Sequence, residues 1–67
     1  MTVNIRDEFI KLSQAMKLAS LVSEGSEAKY AIQNGEVKVN GSVCDMRGKK
    51  LYKGDTFEYM GETVTIA

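Results

Sequence analysis

The chain has 67 residues, enough for one domain around one small core, because a 60-residue domain buries only about 60% of its unfolded surface. Charged residues make up 27% of it and apolar residues 43%, which argues against a disordered or membrane-spanning polypeptide, and so short a chain has little to spare for a deep enclosed catalytic pocket. Nine Lys and Arg balance nine Asp and Glu, so net charge by itself does not point to a polyanionic partner.

The N-terminal stretch MTVNIRDEF lacks a basic start followed by an apolar run, so no signal peptide is expected, and no apolar run approaches the roughly 20 residues that span a bilayer. Ile5, Phe9, Leu12, Met16 and Ala19 recur at intervals of four and three. That spacing predicts a helix over about 7–19, with Asp7 and Glu8 at the positive end of its dipole. Gln14 and Lys17 fall away from the apolar face. SEGSEAK then supplies a turn and a second helix start, with Ser23 or alternatively Ser26 as N-cap. This helix is expected over about 24–34, with Ala28, Ala31 and Ile32 inward, and Asn34-Gly35 is the dipeptide to end it in the left-handed conformation.

From Glu36 the period changes to two, with Val37 and Val39 on one side and Lys38 and Asn40 on the other. Asn40-Gly41 is a strong signal for a two-residue hairpin turn, and Ser42-Val43-Cys44 is the return strand. After the loop DMRGKK come a turn at Gly54-Asp55, a strand through Phe57 and Tyr59, a turn near Gly61, and a final strand carrying Val64 and Ile66 inward. The expected class is α+β: two N-terminal helices packed on a small antiparallel β-sheet, in a single domain over 1–67. No proline, low-complexity tract or internal repeat marks a linker.

Enzymatic readings fail on inventory. There is no histidine, Cys44 has no evident activating partner, and no carboxylate pair sits in a recognisable acid-base motif. The same count speaks against a Cys and His metal site, and no cofactor is expected. GEVKVNG lacks the Gly-x-x-x-x-Gly-Lys-Ser/Thr pattern of a phosphate loop. A single cysteine cannot form an internal disulfide, which fits a reduced, cytoplasmic setting, and Cys44 is expected in a small buried or edge-strand site. Charge is unevenly distributed: residues 37–53 hold Lys38, Arg47, Lys49, Lys50 and Lys53 against Asp45 alone, a local basic footprint on a neutral chain.

The stretch LSQAMKLASLVSEGSEAKYAIQNGEVKVNGSVCDMRGKKLYKGDTFEY, from about Leu12 to Tyr59, resembles the S4 RNA-binding domain, the αL motif named after ribosomal protein S4. SEGSEAK, GEVKVNG and KKLYKGD, in that order and spacing, carry the resemblance. With no catalytic domain attached, the chain looks most like small stand-alone bacterial S4-domain proteins of the YaaA and YbcJ type. The resemblance implies that the two helices and the adjoining hairpin form one RNA-facing surface. It implies non-enzymatic binding of structured RNA, such as ribosomal RNA, an assembly intermediate or a tRNA-like fold, through phosphate and sugar contacts. Neither DNA nor a membrane is expected as a partner.

The residues then sort by chemistry. Ser26, Lys29 and Gln33 share a stripe on the second helix, near an N-terminus that favours phosphate. The competing explanation is that Ser26 merely caps or decorates the helix and Lys29 pairs with a carboxylate; Glu24 and Glu27 also repel RNA there. Lys38 and Asn40 project from the hairpin, where Asn40 suits a 2′-hydroxyl or base edge but is equally explained by the positive φ of the turn. Arg47, Lys49, Lys50 and Lys53 form the densest basic cluster, with Arg47 able to bind phosphate through two parallel hydrogen bonds. Lys17, and Gln14 beside it, border the surface on the first helix. Tyr30, Tyr52 and Tyr59 are capable of stacking on bases, but the sequence displays no interleaved aromatic and basic platform. The rival class is a protein interaction module that keeps the S4 fold within a ribosomal or RNA-processing complex, anchored by Ile10, Met46 or Met60.

Overall fold

Alternation of apolar and polar residues after Glu36 becomes strand geometry in the computed structural model, which describes all 67 residues. β3 (Val37–Val39) buries both valines and exposes Lys38. Asn40 and Gly41, at φ 49° and 87°, turn the chain into β4 (Ser42–Val43). β6 (Thr56–Tyr59) and β7 (Glu62–Ile66) are joined in the same way by Met60 and Gly61, at φ 53° and 79°. Positive φ at both turn positions matches the right-handed twist of the flanking strands.

These strands and β1 (Thr2–Val3) form a five-stranded sheet in the order β1-β7-β6-β3-β4. All its pairings are antiparallel except β1 with β7, which run parallel. That edge strand and its parallel pairing are additions to the wholly antiparallel sheet read from the sequence.

The first helix is shorter than its periodicity predicts. α1 occupies Leu12–Leu18, and the preceding Phe9–Lys11 forms a strand, β2, paired antiparallel with β5 (Lys50–Tyr52) in a separate two-stranded ribbon. Ile5 and Phe9 fit a helical spacing with Leu12 only because a bend and a three-residue strand occupy the same length of chain. Asp7 and Glu8 therefore lie before the helix, whose first turn holds no acidic residue. A helix of seven residues is too short to persist alone. Here the Leu12 N–H donates to the carbonyl of Lys49 at 2.9 Å and the Ser13 N–H to that of Arg47 at 3.3 Å, satisfying two donors that a helix start leaves open.

α2 spans Gly25–Gln33 with Glu24 as its half-in residue, and no side chain caps it, so the expected caps Ser23 and Ser26 are both corrected. The carboxylate of Glu27 instead accepts the backbone N–H of Ser23 at 2.8 Å, and the Ser26 hydroxyl lies 3.4 Å from Glu24 Oε2, to which it donates. Glu27 is long enough to reach back past the helix start and is favoured there by the dipole.

Both helices end in the same hydrogen-bonded motif. Gly35 N–H donates to Ile32 and Glu36 N–H to Ala31, while Ser20 N–H donates to Lys17 and Leu21 N–H to Met16. The residue in the left-handed conformation is Gly35 at φ 74° in one case and Ser20 at φ 60° in the other. Glycine alone adopts this conformation without steric cost. Gly35→Ala is expected to destabilise the fold by about 1 kcal/mol and Ser20→Gly to stabilise it by about 0.5–1 kcal/mol. Urea denaturation of the two variants should move the midpoint in opposite directions.

One cluster of 15 buried residues unites these parts, and all are apolar. Leu12, Ala15 and Met16 come from α1, Ala28, Ala31 and Ile32 from α2, Leu51 from the ribbon, and Val37, Phe57, Val64 and Ile66 from the inner face of the large sheet. No helix is long and apolar enough to cross a membrane.

Candidate nucleic-acid interface

The ribbon sets Phe9 opposite Tyr52, Ile10 opposite Leu51, and Lys11 opposite Lys50. Because side chains alternate across a strand, Ile10 and Leu51 turn toward the core, while Phe9, Lys11, Lys50 and Tyr52 share the other face. The Phe9 and Tyr52 ring centroids are 6.0 Å apart, tilted by 52°, and Lys50 Nζ lies 4.8 Å from the centre of the Phe9 ring. An interleaved aromatic and basic surface is therefore present, contrary to the sequence reading. Lys11 stands outside the residues that the sequence singles out, because its spacing there places it in a helix. Its signal was the mirrored order of FIK and KLY, which an antiparallel pair brings into register.

Like charges directly opposite each other on a sheet repel. Contact with Phe9 draws Lys50 toward the ring and gives it partial compensation. Arg47 and Lys49 are held beside this pair, since their carbonyls receive the first N–H groups of α1. Their side chains are exposed. The backbones of Lys11, Arg47, Lys49 and Lys50 thus meet where β2 passes into α1, with Lys11 and Lys50 on one face of the ribbon and Lys49 lining the side toward the β3–β4 hairpin, although Lys11 lies far from the other three in sequence.

Lys49 also lines a cavity of about 280 Å³ between the β3–β4 hairpin and the loop that follows, together with Asn40, Val43, Cys44 and Met46. Cys44 is half-buried, with its thiol donating to the Met46 carbonyl at 3.7 Å. Lys53 belongs to the turn after Tyr52, where Gly54 N–H donates to Ile66, so it stands at the opposite end of β5 from Lys50.

The other predicted residues are distributed more widely. Lys17 and Gln14 line a shallow depression on α1 with Ile10 and Leu18. Ser26 and Gln33 are exposed on α2 and Lys29 is half-buried. Lys38 points from the outer face of the large sheet, paired across strands with Glu58 and Val43. The Asn40 carbonyl oxygen accepts the Thr56 N–H at 3.0 Å, and its amide donates to Asp55 at 3.2 Å. This fastens the hairpin to the β5–β6 turn. No lysine or arginine side chain enters any of the side-chain hydrogen bonds of the fold.

The family described as the S4 domain matches residues 3–67, from β1 through the last strand. The chain belongs to the S4 domain family. It is 41% identical to the probable ribosome maturation protein RlbA of Bacillus subtilis over 59 residues, covering 88% of this chain and 83% of the relative. It is 33% identical over 57 residues to YbcJ of Escherichia coli, named as a candidate RNA-binding protein, covering 85% of this chain and 81% of the relative. The S4 match includes both strands of the ribbon, so the basic gathering at the start of α1 lies within the family's own architecture.

Proposed function

We propose that this S4 domain binds structured RNA without performing chemistry on it, using the start of α1, the ribbon and the basic loop as its contact surface. The observation that supports the reading is that the β2–β5 register and the capping of α1 bring the backbones of Lys11, Arg47, Lys49 and Lys50 to one place in the fold. Cations brought together in this way position phosphates, and the adjoining depression beside Gln14 and Lys17 extends the surface along α1. Ser26, Lys29 and Gln33 extend it over α2, and Lys53 sits at its margin. Lys38 is a weaker contributor because Glu58 stands opposite it, and Asn40 acts chiefly by fixing the hairpin. The name of the Bacillus subtilis relative directs the proposal to ribosomal RNA or an assembly intermediate, in the cytoplasm. Of the anchors of the rival protein-docking reading, Ile10 is half-buried and turned toward the core, while Met46 and Met60 are exposed on separate segments, the loop after β4 and the β6–β7 turn.

The test is fluorescence anisotropy with a hairpin RNA at two salt concentrations, using the parent and a variant with Lys11, Arg47, Lys49 and Lys50 changed to Gln. With four phosphate contacts at about −0.7 log units per decade each, parent affinity should fall about 50-fold between about 50 and 200 mM salt. The variant should lose most of the affinity and most of the slope. A folded parent that binds no RNA at the lower salt, or a variant with the parent's slope, would overturn the proposal.

A further inference from the structure

We propose that the outer face of the β2–β5 ribbon is a seat for one unpaired nucleotide, whose base stacks on Tyr52 while the adjoining phosphate lies between Lys11 and Lys50. This rests on the RNA-binding reading and adds to it a place where single-stranded character is recognised. Tyr52 is 45% exposed although it has a large aromatic ring. Phe9, half-buried beside it, contacts both Tyr52 and Lys50, so one ring positions the stacking surface and the cation together. Lys11 stands directly across from Lys50, a pairing that costs stability in the free protein and is neutralised by an anion.

The four side chains on this face include no carboxylate. Glu8 directly precedes Phe9, at the far end of β2 from Lys11, and Asp55, beyond the end of β5, is already engaged, accepting the Tyr52 N–H at 2.7 Å and the Asn40 amide at 3.2 Å. An exposed ring with two cations at the next cross-strand pair on the same face complements a π-face joined to a phosphate. A base within a duplex has both faces covered by its neighbours, so the seat requires a base from a loop, bulge or end. An acidic peptide would satisfy the lysines but leave the ring without a stacking partner, which is why the nucleotide is the better occupant.

Two RNAs with the same stem test this, one carrying 2-aminopurine unpaired in a loop and the other a blunt duplex. They are titrated against the parent, Tyr52→Phe, Tyr52→Leu and Lys11→Gln, with circular dichroism melts verifying each fold. The parent should quench the fluorophore and prefer the looped RNA by about tenfold, at the low end of what one stacked base contributes. Tyr52→Phe should retain both effects, and Tyr52→Leu should lose both. Lys11→Gln should reduce the salt slope on the looped RNA by about 0.7, one phosphate contact. Unquenched 2-aminopurine in the bound parent overturns the seat whatever the variants do, as does a folded Tyr52→Leu that matches the parent. Either result leaves general RNA binding intact, whereas a parent that binds neither RNA overturns both.

Discussion

Leu51→Ala is expected to cost about 2–5 kcal/mol and, with a urea slope near 1 kcal/mol/M, to lower the denaturation midpoint by at least about 2 M. Leu51 is fully buried at the middle of β5, while its cross-strand neighbour Ile10 is only half-buried. Leu51 is therefore the main apolar tether between the ribbon and the core. A chain of this size is stable by only about 3–10 kcal/mol, so the loss removes a large part of the total. Leu51→Met, which keeps volume and apolarity, should cost less than about 1.5 kcal/mol. Equal effects of Ala and Met would mean that the side chain's shape, rather than the void left by truncation, governs the loss.

Asn40→Ala should destabilise by about 2–3 kcal/mol, combining roughly 1 kcal/mol or more for an alanine at positive φ with about 1 kcal/mol for the hydrogen bonds removed. Asn40→Gly should cost only about 1 kcal/mol, because glycine accepts the φ of 49° and forfeits the side-chain bonds alone. The two variants separate backbone strain from the polar bridge to Asp55 and Thr56. Urea melts read the difference. Identical losses would show that the turn conformation is not what selects Asn40, and near-parental RNA affinity of the folded Gly variant would confirm that its work is structural.

The parts legible in the sequence are those fixed by neighbours in the chain. Asn40-Gly41 and Met60-Gly61 specify tight turns through their backbone conformations, Gly35 ends α2, and the alternation through Val37, Val39, Val64 and Ile66 needs only period two. The ribbon was illegible because three residues offer too little alternation to compete with a longer, fortuitous helical spacing from Ile5 to Ala19. The site followed the same rule. Arg47, Lys49 and Lys50 are adjacent and easily seen, but Lys11 joins them only through a long-range register, and the platform formed by Phe9 and Tyr52 exists only once that register is set. Asn40 carried two explanations in the sequence, and its partners Asp55 and Thr56, from a distant turn, supply most of the structural one.

The parallel contact between β1 and β7 also has a bearing on how the molecule is made. Thr2 pairs with Thr65 and Val3 with Ile66. On a ribosome β1 emerges ahead of every other strand of this fold, but β7, which it must join, follows all of them. The β3–β4 hairpin pairs strands that are neighbours in the chain, whereas the short α1 waits for the carbonyls of Arg47 and Lys49. Val3 has to wait, unpaired, until β7 has left the exit tunnel, so this edge of the sheet closes after its interior and ties the first strand of the fold to the last.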